Sequence, residues 1–275
     1  MTVTNAVETT MIWGTVSGAS MVGMVISLLL SVVLPIFLGI FIYKKTKAWV
    51  PAFFIGCGIF VGFAMILEQI CHAIVLTVTG SAIRDNIWLY AIYGGLAAAL
   101  FEECGRWIAM KFCLKKHLTR ENALMYGAGH GGIEAFLILG MSSMSNLLTA
   151  AMINGGLMEK TMTALEPAQQ EVTYHQLSVL WTTPAYQFYL APVERISAIA
   201  LQIALSILVY SAVKTGRKLQ LAAAFGLHFA VDFLTVVCAS TIPTWALELG
   251  LLLVVAVICV VVYKLVYLSL AEKKV

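Results

Sequence analysis

Seven stretches of the chain are apolar over the length of a membrane-crossing helix. A helix needs about 20 apolar residues to cross the hydrocarbon core of a bilayer. By that criterion the sequence predicts an all-α membrane protein, a polytopic bundle of about seven transmembrane helices. The predicted spans are residues 12–42, 51–78, 87–111, 121–143, 191–213, 218–238 and 244–267. We expect residues 1–275 to form a single integral membrane domain.

The longest interruption of this pattern lies between residues 144 and 190. Residues 145–157 are apolar and small but too few to span separately, and residues 159–176 are polar. Residues 181–189 are rich in aromatic side chains, as is typical of a membrane–water interface. The pattern predicts an ordered loop on the outer side. A surface-lying or re-entrant element, or a lid over a cavity, is the alternative.

The composition fixes the surroundings of the protein. Hydrophobic residues make up 61% of the chain and charged residues 11%. These few polar residues could not cover a water-facing surface. We therefore expect a multi-pass protein of a cell membrane, namely the plasma membrane of a prokaryote. The lipid bilayer is then its immediate partner. No phosphate-binding glycine loop or nucleic-acid-binding surface is evident, and we expect no nucleic-acid partner. The oligomeric state stays open.

Positive charges are concentrated after alternate spans. Of the 17 Lys and Arg residues, 13 follow the first, third, fifth or seventh span: Lys44, Lys45, Lys47, Lys111, Lys115, Lys116, Arg120, Lys214, Arg217, Lys218, Lys264, Lys273 and Lys274. The positive-inside rule therefore predicts an outer N-terminus and a cytoplasmic C-terminus. No Lys or Arg precedes Lys44. We therefore expect a retained first span, not a cleaved signal peptide.

The third span carries three charged residues within five positions. Each of Glu102, Glu103 and Arg106 costs about 2.5–3.5 kcal/mol at mid-bilayer on insertion scales unless it pairs or faces a polar cavity. Arg106 lies three and four residues after the two glutamates, so it can reach either carboxylate on a helix. Ordinary helix packing does not require such residues. We infer that they are retained for chemistry.

Two later spans carry a histidine followed four residues on by an acid. These pairs are His130 with Glu134 and His228 with Asp232. Counted from the basic helix ends, both histidines and Glu103 lie roughly 12–15 Å deep, which places acids and imidazoles in one membrane layer. Glycines in the third and fourth spans are expected to bring those helices close together: Gly94, Gly95, Gly127, Gly129, Gly131 and Gly132. A polar packing network without chemistry is the alternative.

A second polar group is predicted nearer the outer side. Glu68 and His72 share a face of the second span, and Glu194 and Arg195 open the fifth span from outside. These residues could form an outer layer that controls substrate access. The alternatives are an interhelical hydrogen bond for the first pair and interfacial snorkelling for the second.

This residue set suits hydrolysis by activated water. No Ser or Cys is evidently placed as a nucleophile, because Cys104 lies about 100° around the helix from Glu103. A glutamate can activate water directly, or a metal can do so. Histidine and carboxylate are usual ligands of a catalytic zinc ion that keeps one position open for water.

The order of the motifs resembles a known superfamily. Glu-Glu-x-x-Arg at 102–106, a His/Glu motif at 130–134 and His-x-x-x-Asp at 228–232 are similar to those of type II CAAX prenyl endopeptidases and bacteriocin-processing enzymes. Within that superfamily the chain resembles the YhfC group of intramembrane metalloproteases, with the PrsW proteases as neighbours. The resemblance implies roles for six residues: Glu102 and Glu103, one of which activates water; Arg106, which orients them; His130, beside the water or metal; and His228 with Asp232, which bind metal or the oxyanion.

We therefore expect an intramembrane endopeptidase acting on a membrane protein or peptide. The expected cofactor is Zn²⁺, with His130, His228 and Glu103 as ligands. Without a metal, a glutamate and His130 would activate water while His228 and Asp232 bind the oxyanion. The alternative functions are a proton- or ion-coupled transporter and a non-catalytic membrane scaffold.

The charge distribution generates a topology prediction. Single cysteines introduced at positions 45, 115 and 217 of a cysteine-free variant should react with a membrane-impermeant reagent only from the cytoplasmic side. Cysteines at 145–185 should react from outside. Labelling of position 115 from outside would refute the seven-span orientation.

Overall fold

The computed structural model describes residues 11–270. Within that range the chain is all-α, and seven helices are long and apolar enough to cross a membrane, which confirms the predicted fold class. The protein is therefore a multi-pass membrane protein. Residues 1–10 and 271–275, which include the predicted cytoplasmic charges Lys273 and Lys274, lie outside the described residues.

The described residues form seven long helices and two short ones, together with a 3₁₀ turn at Lys115–His117. The long helices are α1 (Gly18–Thr46), α2 (Pro51–Thr79), α3 (Ile87–Cys113), α4 (Arg120–Asn154), α7 (Ala185–Thr215), α8 (Lys218–Ala239) and α9 (Thr244–Tyr267). The short ones are α5 (Leu157–Met162) and α6 (Pro167–Thr182), between α4 and α7. Parts of four long helices are π-helical, namely Val61–Glu68, Ala109–Cys113, Phe136–Gly140 and Tyr263–Tyr267.

Local sequence signals set the helix ends. The side chains of Ser17, Asn86 and Thr119 accept hydrogen bonds from backbone N–H groups in the first turns of α1, α3 and α4. Such caps satisfy donors that have no partner inside the helix. Gly216 ends α7 in the left-handed conformation that glycine adopts without steric cost.

The structure corrects the loop predicted at 144–190. The fourth helix continues to Asn154 instead of ending at 143, and α7 begins at Ala185 instead of 191. A π-helical turn at Phe136–Gly140 carries α4 onward without a break, so the apolar residues that follow extend this helix. Short helices occupy the rest of the segment. Trp181 of α6 packs against Trp13, with ring centroids 5.7 Å apart.

Three of the four basic segments meet at one end of the bundle. The backbone N–H of Trp49 donates to Asn122 Oδ1 (2.7 Å), and the Trp49 ring stacks on His117 at 4.1 Å. At the same end Arg120 donates to the carbonyl of Tyr267 (3.0 Å). Seven successive crossings place the ends of α1, α3 and α9 on the same side of the membrane, in agreement with these contacts. Which membrane side faces this end stays a prediction.

Helix α4 lies at the centre of the bundle, and its glycines explain why. A Cβ on Gly129 would overlap the carbonyl oxygen of Phe53 in α2. A Cβ on Gly131 would lie 3.0 Å from the Cα of Ile199 in α7, and one on Gly132 would lie 2.5 Å from Pro35 in α1. These glycines point in different directions at about 100° per residue. They therefore bring α4 against α2, α7 and α1, which corrects the expected close approach of the third and fourth spans.

Helix α3 packs on α8 instead. A Cβ on Gly95 would lie 3.2 Å from the carbonyl oxygen of Phe229. Glu102 and Arg106 of α3 reach His130 of α4 through their long side chains.

The packing of α4 generates a stability prediction. Gly129→Ala should destabilise the protein by about 1–3 kcal/mol, because the added methyl group overlaps the backbone of α2. Gly94→Ala is the matched control, since a Cβ there would meet open space. Thermal unfolding in detergent would measure both. Equal unfolding midpoints for the two variants would contradict the close helix contact.

Candidate active site

A cavity of about 280 Å³ lies among α3, α4, α7, α8 and α9. Polar and titratable side chains from four helices line it, while Leu251 and Val255 of α9 close one apolar side. The polar residues of its wall include Glu102, Glu134, Glu194, Arg195, Gln202, His228 and Asp232.

Glu102 and His130 join α3 to α4. The Nε2 atom of His130 lies 2.9 Å from Glu102 Oε2 and 3.3 Å from Arg106 Nη2. His130 is completely buried, and its Nδ1 has no hydrogen-bond partner among the described residues. A neutral imidazole nitrogen either donates or accepts. His130 Nε2 can therefore donate to the carboxylate or accept from the guanidinium, but not both at once.

Arg106 is the most enclosed charge in this cluster. It is 0% exposed, and its Nη1 donates to the carbonyl of Gln202 (2.9 Å) and to Ser206 Oγ (3.3 Å). Its Nη2 donates to Gln202 Oε1. The guanidinium also lies 3.8 Å from Glu102 and 3.4 Å from Glu103. Arg106 thus lies between the two glutamates and is anchored on α7.

Glu103 and His228 join α3 to α8. The Nδ1 atom of His228 lies 2.8 Å from Glu103 Oε1, and both residues are buried. The Nε2 atom of the same imidazole lies 3.5 Å from Asp232 Oδ2 and 3.9 Å from Glu102 Oε2. Successive residues on α3 point about 100° apart. Glu102 therefore faces α4 and α7 while Glu103 faces α8.

A second, apolar cavity of about 600 Å³ lies between α3 and α8. Its lining includes Glu103, Cys104, Trp107, Lys218, Leu221, Ala222 and Phe225. Glu103 lines this cavity and His228 lines the polar one. The hydrogen bond between these two side chains therefore joins the wall of one cavity to the wall of the other.

Two residues of α7 belong to the cluster but were not assigned to it from the sequence. The Nε2 atom of Gln202 donates to Glu102 (2.9 Å) and to Glu134 (2.8 Å). Arg195 donates to Glu134 Oε1 (3.1 Å) and also pairs with Glu194. Arg195, Gln202 and Ser206 are spaced seven and four residues apart, which places them on one helix face. That polar face in an apolar span is a signal that sequence reasoning could have used.

Arg195 lies deeper than the sequence suggested. Because α7 begins at Ala185, Arg195 is about three turns inside the helix, where it is buried and paired with Glu134. The expected outer layer at Glu194 and Arg195 is thus joined to the cavity. Glu68 and His72 pair at 3.2 Å, and His72 bonds to Tyr93 Oη of α3 (2.7 Å), as in the interhelical hydrogen-bond interpretation.

Among the residues that the structure describes, Glu102, His130 and Glu134 form a group that could hold a metal ion, called here the metal-type group. Each offers one ligand atom, and these atoms lie within 4.8 Å of one another. The ligand set expected from the sequence shares only His130 with this group. Its other members, Glu103 and His228, are hydrogen-bonded to each other. Local periodicity does not specify which of two adjacent glutamates faces which neighbouring helix. The rotation of α3 about its own axis decides this, and it accounts for the difference between the expected ligand set and the observed group.

The charges of the cluster suit a cation. Five carboxylates meet two guanidinium groups, namely Glu102, Glu103, Glu134, Glu194 and Asp232 with Arg106 and Arg195. If all five acids are ionised, negative charge is in excess inside the bundle. A buried excess of charge requires protons or a bound cation. Carboxylate oxygens and an imidazole nitrogen are donors that zinc accepts, so the residues present fit such an ion.

The chain is similar to proteins of one family. Residues 30–259 match the family described as "YhfC intramembrane metalloprotease". The chain is 41% identical over 222 residues to "Uncharacterized membrane protein YhfC" of Bacillus subtilis (strain 168), covering 78% of this chain and 83% of that relative. No solved structure matches the chain. The matched region contains all the residues of the polar cavity and its metal-type group.

Proposed function

The chain belongs to the YhfC family of membrane proteins, and from that premise we propose that it is an intramembrane metallopeptidase. It would hydrolyse a peptide bond of a membrane protein or membrane-bound peptide. The three motifs, in their order along the chain, support placing it within the wider superfamily of CAAX-type and PrsW-type proteases. The observation that carries the proposal is the Glu102, His130 and Glu134 group, whose two glutamates line the polar cavity.

The cavity offers room for the second reactant. A water molecule occupies about 30 Å³ in the liquid, so a space of about 280 Å³ can hold several. Hydrolysis inside a membrane needs such a space, because the surrounding hydrocarbon contains no water. The polar wall supplies acceptors and donors that keep water there.

We propose Zn²⁺ as the cofactor, held by Glu102, His130 and Glu134. Three protein ligands with one open position are the usual arrangement of a catalytic zinc. When bound, the metal lowers the pKa of water to about 7 and polarises a carbonyl group. Arg195 and Gln202 donate to Glu134, and Gln202 also donates to Glu102. These bonds fix the orientation of the carboxylates.

The Glu103–His228 pair is placed to transfer a proton. The water oxygen would bond to the substrate carbonyl carbon while His228 Nε2, at the cavity wall, accepts a proton from that water. Glu103 accepts the hydrogen bond of Nδ1–H and stabilises the imidazolium that forms. The imidazolium then delivers its proton to the amide nitrogen as the C–N bond breaks. Glu103 therefore acts through His228 in this scheme.

The apolar cavity suggests how a substrate reaches the site. Its lining from α3 and α8 is mostly apolar, and Glu103 is one of the lining residues. An apolar side chain of a membrane polypeptide would occupy this space at low cost, with its peptide bond next to the Glu103–His228 pair. This arrangement favours a membrane polypeptide over a water-soluble substrate.

Catalysis provides one prediction. Glu102→Gln and Glu103→Gln keep side-chain volume and remove the anion, and at least one should lower cleavage about 100-fold or more. Glu159→Gln on α5 is the control. Membrane polypeptides that accumulate with Glu103→Gln in cells would identify a substrate, whose cleavage is then measured in proteoliposomes.

If both glutamine variants cleave at the wild-type rate, the catalytic roles proposed for Glu102 and Glu103 fail. Ion flux through wild-type proteoliposomes without any cleavage would favour the transporter. If wild-type proteoliposomes show no ion flux and no cleavage, the result would favour the scaffold.

Metal content provides a second prediction. The purified protein should carry about one zinc per chain by elemental analysis, and His130→Ala and Glu134→Gln should lose it. His228→Ala should retain the metal while losing activity. Loss of zinc from His228→Ala would instead support the ligand set of His130, His228 and Glu103. If the wild-type protein is active, metal-free and insensitive to chelators, zinc is excluded. Direct activation of water by a glutamate would then remain.

A further inference from the structure

Gln202 is a neutral side chain at the centre of the charged cluster. It is 3% exposed, and both ends of its amide are hydrogen-bonded. Its Oε1 accepts from Arg106, and its Nε2 lies within hydrogen-bond distance of Glu102 and Glu134. Gln202 therefore contacts the two carboxylates of the metal-type group and the arginine behind them.

The neighbours of Gln202 determine which way its amide points. A guanidinium group only donates, so the amide oxygen faces Arg106. Ionised carboxylates only accept, so the amide NH₂ faces Glu102 and Glu134. The carbonyl oxygen of the same residue also accepts from Arg106 Nη1 (2.9 Å). Two bonds to one guanidinium thus fix both the backbone and the side chain of Gln202.

The two N–H donors of the Gln202 amide offset the repulsion between the Glu102 and Glu134 carboxylates. Glu102 and Glu134 offer ligand atoms within 4.8 Å of each other, and two like charges so close in a buried site repel. An N–H group directed at each carboxylate satisfies one lone pair and leaves others free for a cation. Partners that orient the ligands of a metal in this way typically change its affinity 10- to 100-fold when removed.

We propose that Gln202 is a positioning residue that holds Glu102 and Glu134 at the separation a divalent cation requires. The inference rests on the proposed function, because it takes these two carboxylates as metal ligands. Arg106 contributes through Gln202 by fixing the orientation of the amide. The Glu-Glu-x-x-Arg motif would thus reach the metal by two routes, directly from Glu102 and indirectly from Arg106.

Zinc affinity in paired variants tests this role. Gln202→Met keeps an unbranched side chain of similar length and removes the donors, so it should weaken Zn²⁺ binding about 10- to 100-fold. Gln187→Met is the matched control. It makes the same substitution on α7, at a residue that does not line the polar cavity. Its affinity should stay within about twofold of the wild type. Competition with a chromophoric zinc chelator in detergent measures the dissociation constants without an activity assay.

Each result has a defined meaning. A wild-type zinc affinity in Gln202→Met, or a tighter one, would overturn the positioning role while leaving the metallopeptidase proposal intact. A wild-type protein that takes up no zinc would overturn both. If Gln202→Met does not fold, Gln202→Asn replaces it. That variant retains an amide one methylene too short to reach both carboxylates, so it should also bind zinc more weakly, and unchanged affinity would again overturn the role.

Discussion

The structure depends on compensating charges that are buried inside an apolar bundle. An ion removed from water costs several kcal/mol unless partners satisfy it, and Arg106 is fully buried. Its partners lie on its own helix, on α4 through His130 and on α7 through Gln202 and Ser206. Three helices must therefore hold one relative position for this charge to be tolerated. The same contacts define the candidate active site, so the site and the helix arrangement are stabilised together.

Close packing around α4 complements this polar core. Gly129 admits the backbone of α2, and Gly131 admits α7. Without a hydrophobic driving force between helices in lipid, small residues stabilise helix pairs by allowing many close contacts. The glycines next to His130 thus keep α4 in the centre, where its imidazole meets Glu102 from α3. Small residues set the distances between helices here, and buried polar side chains set the rotation of each helix.

The Glu103–His228 hydrogen bond connects the two parts of the proposed reaction. On one side lies the polar cavity with the metal-type group, and on the other the apolar cavity between α3 and α8. A membrane peptidase must bring water and an apolar substrate to the same bond, although the two reactants favour opposite surroundings. A carboxylate–imidazole pair between a polar space and an apolar space meets that requirement. Gln202 and Arg195 extend the network to α7.

The sequence by itself determined the fold class, the seven spans and three of the motifs around the cavity. Hydrophobicity and helical period are local properties, so about 20 apolar residues suffice to identify a span, and a spacing of four places His228 and Asp232 on one face. Tertiary structure decided how each helix is rotated. That rotation pairs Glu102 with His130 and Glu103 with His228. It also brings Gln202 and Arg195 into contact with Glu134. Rotation depends on packing against distant segments, such as the glycines of α4 against α2 and α7, and no local pattern in one helix encodes it.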